Sequence, residues 1–293
     1  MSTSPVIEVD RLNLTYGDFH AVKDLSFEVR PGELYALLGT NGAGKTSTLE
    51  VVEGHRRPTS GTVRVLGHSP QDRRAVRPRM GVMLQESGFS PDLTVRESVR
   101  LVGRLTLRDD DVDRVLDLVD LTGRSGRRVS QLSGGEKRRL DFATAAYGTP
   151  ELMFLDEPTT GLDIQSRDAV WATVDRLREN GATIVLTTHY LEEAQQRADR
   201  IGLMHQGTLQ REGTVAELTR TLPAVIRFSL PAGAPALPLP AAADADGTVV
   251  VETFGLQEDL HVLLRWAQDH AVELQGLEAG PTRLDDVFRA ISN

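Results

Sequence analysis

Gly39-Thr40-Asn41-Gly42-Ala43-Gly44-Lys45-Thr46 fits the phosphate-binding pattern G-x-x-x-x-G-K-[ST] at every fixed position. Glycines let backbone N–H groups come close to phosphate oxygens, and the positive end of a following helix completes the cradle. Lys45 would reach the β/γ oxygens, and the Thr46 hydroxyl would ligate magnesium. Gly39, Asn41, Gly42, Ala43, Gly44, Lys45, Thr46 and Ser47 are therefore candidate contacts to a nucleoside triphosphate. A second pattern, Leu152-Met153-Phe154-Leu155-Asp156-Glu157, is four apolar residues ending in adjacent carboxylates. A buried strand delivers acids in this way to a triphosphate at its carboxyl end. Asp156 would hold magnesium, directly or through water, and Glu157 would orient or activate the attacking water. In a third, Leu132-Ser133-Gly134-Gly135-Glu136, a hydroxyl and unshielded N–H groups stand at a helix start, a second anion site.

These residues need a frame. Leu34 to Leu38 is a short apolar run suited to a buried parallel strand ahead of the loop, and Ser47 to Val52 continues as helix. Val6 to Leu14 and Leu25 to Val29 read as strands around a Tyr16-Gly17-Asp18 turn, an antiparallel sheet edge before the nucleotide core. Thr62 to Leu66 and Met80 to Leu84 are further strands. From about 86 to 135 the spacing turns helical, with Val95, Val99 and Val102 on one stripe and Val112, Val115, Leu116 and Val119 on another. Thr183 to Leu186 is a buried strand preceded by an amphipathic segment from Ser166 to Glu179. Strands alternating with helices give a mainly parallel sheet.

Beyond residue 220, Pro231, Pro235, Pro238 and Pro240 mark a loop. Around it Val225 to Leu230, Thr248 to Phe254 and Ala271 to Leu277 read as strands and Leu256 to His270 as a helix. Thr282 is placed as the N-cap of a closing helix, with Asp285 three residues on. The expected organisation is a large α/β domain over 1–220, with a helical subdomain at about 86–150, and a small α+β domain over 221–293.

The chain has 293 residues and a formal net charge of −9. That balance argues against a general nucleic-acid binder or electrostatic adhesion to anionic lipid, since both need a basic surface. The arginine clusters at 73 to 79 and 124 to 128 read as solvated surface. There are no cysteines, so thiolate metal sites are excluded. No run of 18 apolar residues occurs, which predicts a cytoplasmic chain that spans no membrane by itself.

In this order the motifs resemble the nucleotide-binding subunit of ABC transporters over roughly residues 6 to 215. Gly39 to Thr46 matches its Walker A motif, Leu152 to Glu157 its Walker B strand and Leu132 to Glu136 its signature. Gln85 matches the Q-loop, which the resemblance places at the metal and the reacting water. Gly161-Leu162-Asp163 matches the D-loop, and His189 the switch histidine. Tyr16 falls where the family places an aromatic under the adenine. Departures are Glu136, where many relatives carry Gln, Asp141, at a position often uncharged, and Ile164, where Pro is frequent.

The resemblance implies a P-loop NTPase fold, RecA-like with a helical subdomain, that binds ATP and Mg2+. It also implies a head-to-tail homodimer in which Ser133, Gly134 and Gly135 of one subunit close on the ATP held by the other. Lys45 and His189 would stabilise charge on the γ-phosphoryl group, and Asp163 would communicate between the sites. A membrane permease, in two copies, is the implied partner, docking near Phe89 and Ser90 to Arg104. The subunit would then sit at the cytoplasmic face of the membrane. Gly280 to Phe288, Thr188 to Ala194 and Ala198 to Ile201 resemble the daunorubicin-resistance branch of type 2 exporters, implying efflux of an amphipathic cargo. A soluble ABC-type ATPase acting in translation or DNA maintenance is the alternative, while a kinase or small GTPase would leave Ser133-Gly134-Gly135 and His189 without purpose.

Overall fold

The computed structural model describes residues 4–83, 88–220, 222–231, 233–243 and 247–292. The chain forms two compact units, Met1–Thr214 and Val215–Asn293.

In the first unit, β1 (Ile7–Tyr16) and β2 (Phe19–Val29) fold back on each other at Gly17-Asp18. β1 buries Ile7 and Val9, then shifts register past Asp10-Arg11, which restores Leu12 and Leu14 to the buried face. β3 (Leu34–Gly39) is followed by α1 (Lys45–Val52) and β4 (Ser60–Val65). β4 pairs with β1, so the antiparallel strands make a three-stranded sheet of their own, ordered β2-β1-β4. Its apolar face shares one core with the main sheet, through Leu25, Phe27, Tyr35, Leu37 and Val51 among others.

After α2 (Arg73–Val76) and β5 (Met80–Met83), the chain enters the helical region. This holds α3 (Val95–Thr106), α4 (Val112–Leu118) and α5 (Gly134–Ala146). Thr94 and Glu97 form a reciprocal capping box at α3, and Asp111 caps α4. Arg108 crosses to the carboxyl end of α5 and donates to the carbonyls of Thr144 (3.0 Å) and Ala145 (2.8 Å). These carbonyls lack helical partners, so a buried cation there opposes the negative end of the helix dipole.

The chain returns to the core through β6 (Leu152–Asp156), α6 (Ile164–Glu179), β7 (Thr183–Thr187), α7 (Leu191–Arg197), β8 (Arg200–His205) and β9 (Thr208–Gly213). The main sheet runs β5-β6-β7-β3-β8-β9 and is parallel except for β9. β7 is wholly buried, as are the first four residues of β6, which explains their uninterrupted apolar runs.

The second unit contains α8 (Val215–Thr219), β10 (Ala224–Ser229), β11 (Ala242–Ala243), β12 (Val249–Thr253), α9 (Leu256–Asp269), β13 (Gln275–Gly280) and α10 (Leu284–Ser292). Its sheet is ordered β11-β12-β10-β13 around a small core with Phe228, Val251, Leu263 and Trp266. The strand expected at Ala271 starts instead at Gln275. Ala271 takes a φ of 53° and Val272 N–H bonds back to the Ala267 carbonyl, so four residues complete the reversal before pairing begins. Thr282 is also used differently from its expected capping role: its hydroxyl donates to the Pro223 carbonyl, while Arg283 N–H bonds the Asp286 carboxylate (3.1 Å).

Candidate active site

The strand order brings the chemistry together. β7 lies between β3 and β6, and Thr187 at its end pairs with Leu37 on one side and Asp156 on the other. The loop after β3, the carboxylates ending β6 and the Thr188-His189 segment after β7 therefore leave the sheet at one edge. Two inter-strand spacings, about 10 Å, separate the outer two.

The phosphate-binding loop is shaped by backbone constraints. Gly44 has a φ of 97°, and a Cβ there would lie 2.6 Å from the Ala21 carbonyl oxygen. No other residue type fits. Lys45 opens α1 and donates from Nζ to the carbonyls of Gly39 (2.7 Å) and Thr40 (3.1 Å). Burial lowers its pKa, opposed by the charges of Glu157 and then Asp156. A cavity of about 300 Å³ is lined by Asn41 to Ser47, by Phe19 and Ala21, and by Asp156 and Glu157. Thr46 and Asp156 also share an adjoining cavity with Glu53 and His55.

Asp156 accepts a hydrogen bond from the Thr187 hydroxyl on Oδ1. Glu157 takes a left-handed backbone conformation, φ 48°, and its N–H bonds the Thr187 carbonyl (2.9 Å). His189 Nδ1 lies 3.1 Å from Glu157 Oε1, and the Thr160 hydroxyl donates to Oε2 at 3.1 Å. Both carboxylate oxygens are thus held, at the wall of the cavity beside Lys45.

Ser133 caps α5 in a reciprocal box: Glu136 N–H donates to Ser133 Oγ (3.2 Å), and Ser133 N–H donates to Glu136 Oε2 (2.9 Å). The Ser133 side chain also hydrogen-bonds the Glu136 carboxylate, so the box engages the hydroxyl as donor and as acceptor. Arg124 Nε donates to Glu136 Oε1 (2.8 Å). That bond, with the Ser133 N–H, holds the Glu136 carboxyl down at about 2. Arg124 is therefore a structural partner rather than free surface charge. A Cβ at Gly134 would meet nothing of its own chain within 4 Å, so glycine there serves no internal packing need. A Cβ at Gly135 would stand 3.4 Å from Ser166 Oγ. Ser166 in turn gives its N–H (2.8 Å) and hydroxyl (3.0 Å) to Asp163, the cap of α6. The serine-glycine turn and Asp163 are neighbours on one surface.

Tyr16 is anchored outside that cavity's lining. Its hydroxyl donates to Glu50 Oε2 (3.0 Å) and lies 3.2 Å from Ser47 Oγ, while the Arg56 guanidinium covers its ring at 4.5 Å. Phe19, 64% exposed, is the aromatic that lines the cavity. Sequence reasoning passed over it, although an exposed aromatic just after a tight turn before the loop was a readable signal. Gln85 lies outside the described residues.

Residues 22–160 match the family model described as ABC transporter, and residues 224–282 match one described as ABC transporter domain-containing protein-like, C-terminal domain. The Daunorubicin resistance ATP-binding protein DrrA3 of Streptomyces coeruleorubidus is 37% identical, over 96% of this chain and 94% of the relative. The Nod factor export ATP-binding protein I of Paraburkholderia xenovorans (strain LB400) is 41% identical over 72% of each chain. Among solved structures, an ATP binding subunit of an ABC transporter superposes with a TM-score of 0.69 at 27% identity, covering 74% of this chain and 92% of that one.

Proposed function

This chain belongs to the ABC transporter family as an ATP-binding, ATP-hydrolysing subunit, and from that premise we propose that it powers export of an amphipathic cargo through a separate membrane permease. The similarity to a daunorubicin-resistance ATP-binding protein along nearly its whole length, second unit included, supports the exporter branch. Hydrolysis rests on one arrangement above all, the Glu157 carboxylate held by His189 and Thr160 beside the Lys45 cavity.

The loop N–H groups and Lys45 grip the β- and γ-phosphates. Glu157 takes a hydrogen bond from a water placed in line with the γ-phosphorus and accepts its proton as the new P–O bond forms and the bond to ADP breaks. Thr46 and Asp156 suit Mg2+, a hard cation that takes a hydroxyl and a carboxylate while keeping phosphate oxygens and water as its other ligands. Bound magnesium would neutralise phosphate charge. For the base, the aromatics on offer are Tyr16, partly exposed with Arg56 over its ring, and Phe19 at the cleft.

Ser133 and Gly134 are exposed, and a side chain at Gly134 would meet nothing of its own chain, which fits a head-to-tail homodimer where they close on the partner's ATP. ATP then holds the pair together and its hydrolysis releases it. Phe89 is half-buried and Leu101 is an exposed apolar side chain within the docking region, Phe89 and Ser90 to Arg104, while the exposed Leu105 and Leu107 extend that apolar surface just beyond it. No helix among the described residues is long and apolar enough to cross a membrane; in this reading the chain attaches at the cytoplasmic face through that permease.

Glu157→Gln tests the reading. The variant keeps ATP binding, loses about 10²- to 10⁴-fold in turnover and accumulates as a closed dimer on size-exclusion chromatography with ATP. Wild-type hydrolysis by this variant would show that another residue positions the water.

A further inference from the structure

Arg138 lies in the second turn of α5, five residues after Ser133, and its side chain is only 7% exposed. It does not point to solvent. Its guanidinium spans three consecutive backbone carbonyls on the turn after β6: Nε donates to Pro158 (3.1 Å), and one terminal nitrogen donates to Asp156 (2.8 Å) and Glu157 (2.6 Å). The other terminal nitrogen stands 4.0 Å from Asp141, itself buried one turn further along α5.

Two features separate this from ordinary core packing. Burying a guanidinium is unfavourable, and an apolar side chain of similar length would fill the same space without that penalty. The turn it grips is strained: Glu157 is a non-glycine residue at φ 48°, a conformation that persists only when the surroundings fix it. Thr187 holds the N–H of Glu157, His189 and Thr160 hold its carboxylate, and Arg138 holds its carbonyl with those on either side.

We infer that Arg138 is a positioning residue for ATP hydrolysis, fixing the strained turn so that the Glu157 carboxylate faces the attacking water, with Asp141 as its buried counter-charge. The inference rests on the reading of Glu157 given above. It gives Asp141 a purpose, since a carboxylate at that helix position neutralises the clamp. It also makes the helix carrying Ser133 and the turn carrying Glu157 one mechanical piece.

A planar fork can reach three carbonyls together, whereas a lysine ammonium on a flexible stem cannot, so Arg138→Lys preserves charge and loses most of the grip. Arg138→Met removes both. Steady-state ATPase assays on the full chain should show kcat down about 100-fold for Arg138→Met and about 10-fold for Arg138→Lys, the size expected for an ångström-scale misplacement. KM for ATP should stay within about threefold, because the triphosphate contacts on α1 are untouched. If Arg138→Met does not fold, Arg138→Lys decides. A folded Arg138→Lys with wild-type kcat overturns the inference, as does a loss of kcat matched by an equal rise in KM and a fall in thermal stability, the mark of a merely structural arginine. Glu157→Gln run in parallel separates the two readings: if it hydrolyses ATP normally, the assignment of Glu157 fails, whereas an inactive Glu157→Gln beside a fully active Arg138→Lys refutes the clamp alone.

Discussion

Glu53, at the carboxyl end of α1, is the sharpest test of the electrostatics around the site. Its side chain is 7% exposed, and burial, then the Asp156 and Glu50 charges, push its carboxyl from the ordinary 4.5 up to about 8. His55 Nε2 lies 3.5 Å away, but burial and then Arg77 and Arg73 lower its pKa, so the contact is no ion pair at neutral pH. Because the folded protein keeps a proton that the unfolded chain releases, stability declines as pH rises from 4.5 to about 8 and levels off above. At ~1.4 kcal/mol per pH unit the window amounts to roughly 5 kcal/mol, and roughly 4 of it falls between pH 5 and 8.5. Glu53→Gln abolishes the titration at nearly constant shape, and whatever the buried amide costs does not vary with pH. Thermal unfolding of both proteins, nucleotide-free and with chelator, should show the variant gaining on wild type by about 10 °C between pH 5 and pH 8.5, at ~2–4 °C per kcal/mol for a unit of this size. A difference constant to within about 2 °C would refute a buried neutral carboxyl.

Lys45→Ala should weaken ATP binding by at least about tenfold in fluorescence titration, the size of one charge-assisted phosphate contact; unchanged affinity counts against the loop assignment. Ser133→Arg should leave ATP binding by the monomer within about threefold while abolishing ATP-induced dimerisation in light scattering, and a normal dimer would remove Ser133 from the interface. Leu105→Asp, at a side chain 72% exposed, should leave ATPase activity unchanged and reduce co-purification with the permease; full recovery of the complex would move the docking surface elsewhere.

What the sequence made legible was whatever depends on local spacing. The phosphate-binding loop is contiguous, and its glycines answer to backbone angles that a short motif records, as at Gly44. β6 was readable because a strand buried on both faces has no polar alternation to confuse it. The reach of Arg138 was not readable, since Lys137-Arg138-Arg139 looks like a solvated helix start until the fold brings residue 156 beneath it. Glu53 was hidden for the same reason, because a glutamate at a helix end is normally exposed and only the tertiary packing buries it. β13 began later than expected because hydrophobicity marks Val272 and Leu274 but not the left-handed turn at Ala271.

The exposure of Ser133 and Gly134 carries a genetic consequence. If each site takes its phosphate loop from one chain and its serine-glycine turn from the other, two different lesions pair in an instructive way. A chain disabled at Lys45, mixed with a chain disabled at Ser133, forms heterodimers in which both lesions fall in the same site, leaving the second site intact. Two inactive proteins should then restore each other when co-refolded, as neither does alone. The open space around Gly134 would thus be visible as intersubunit complementation.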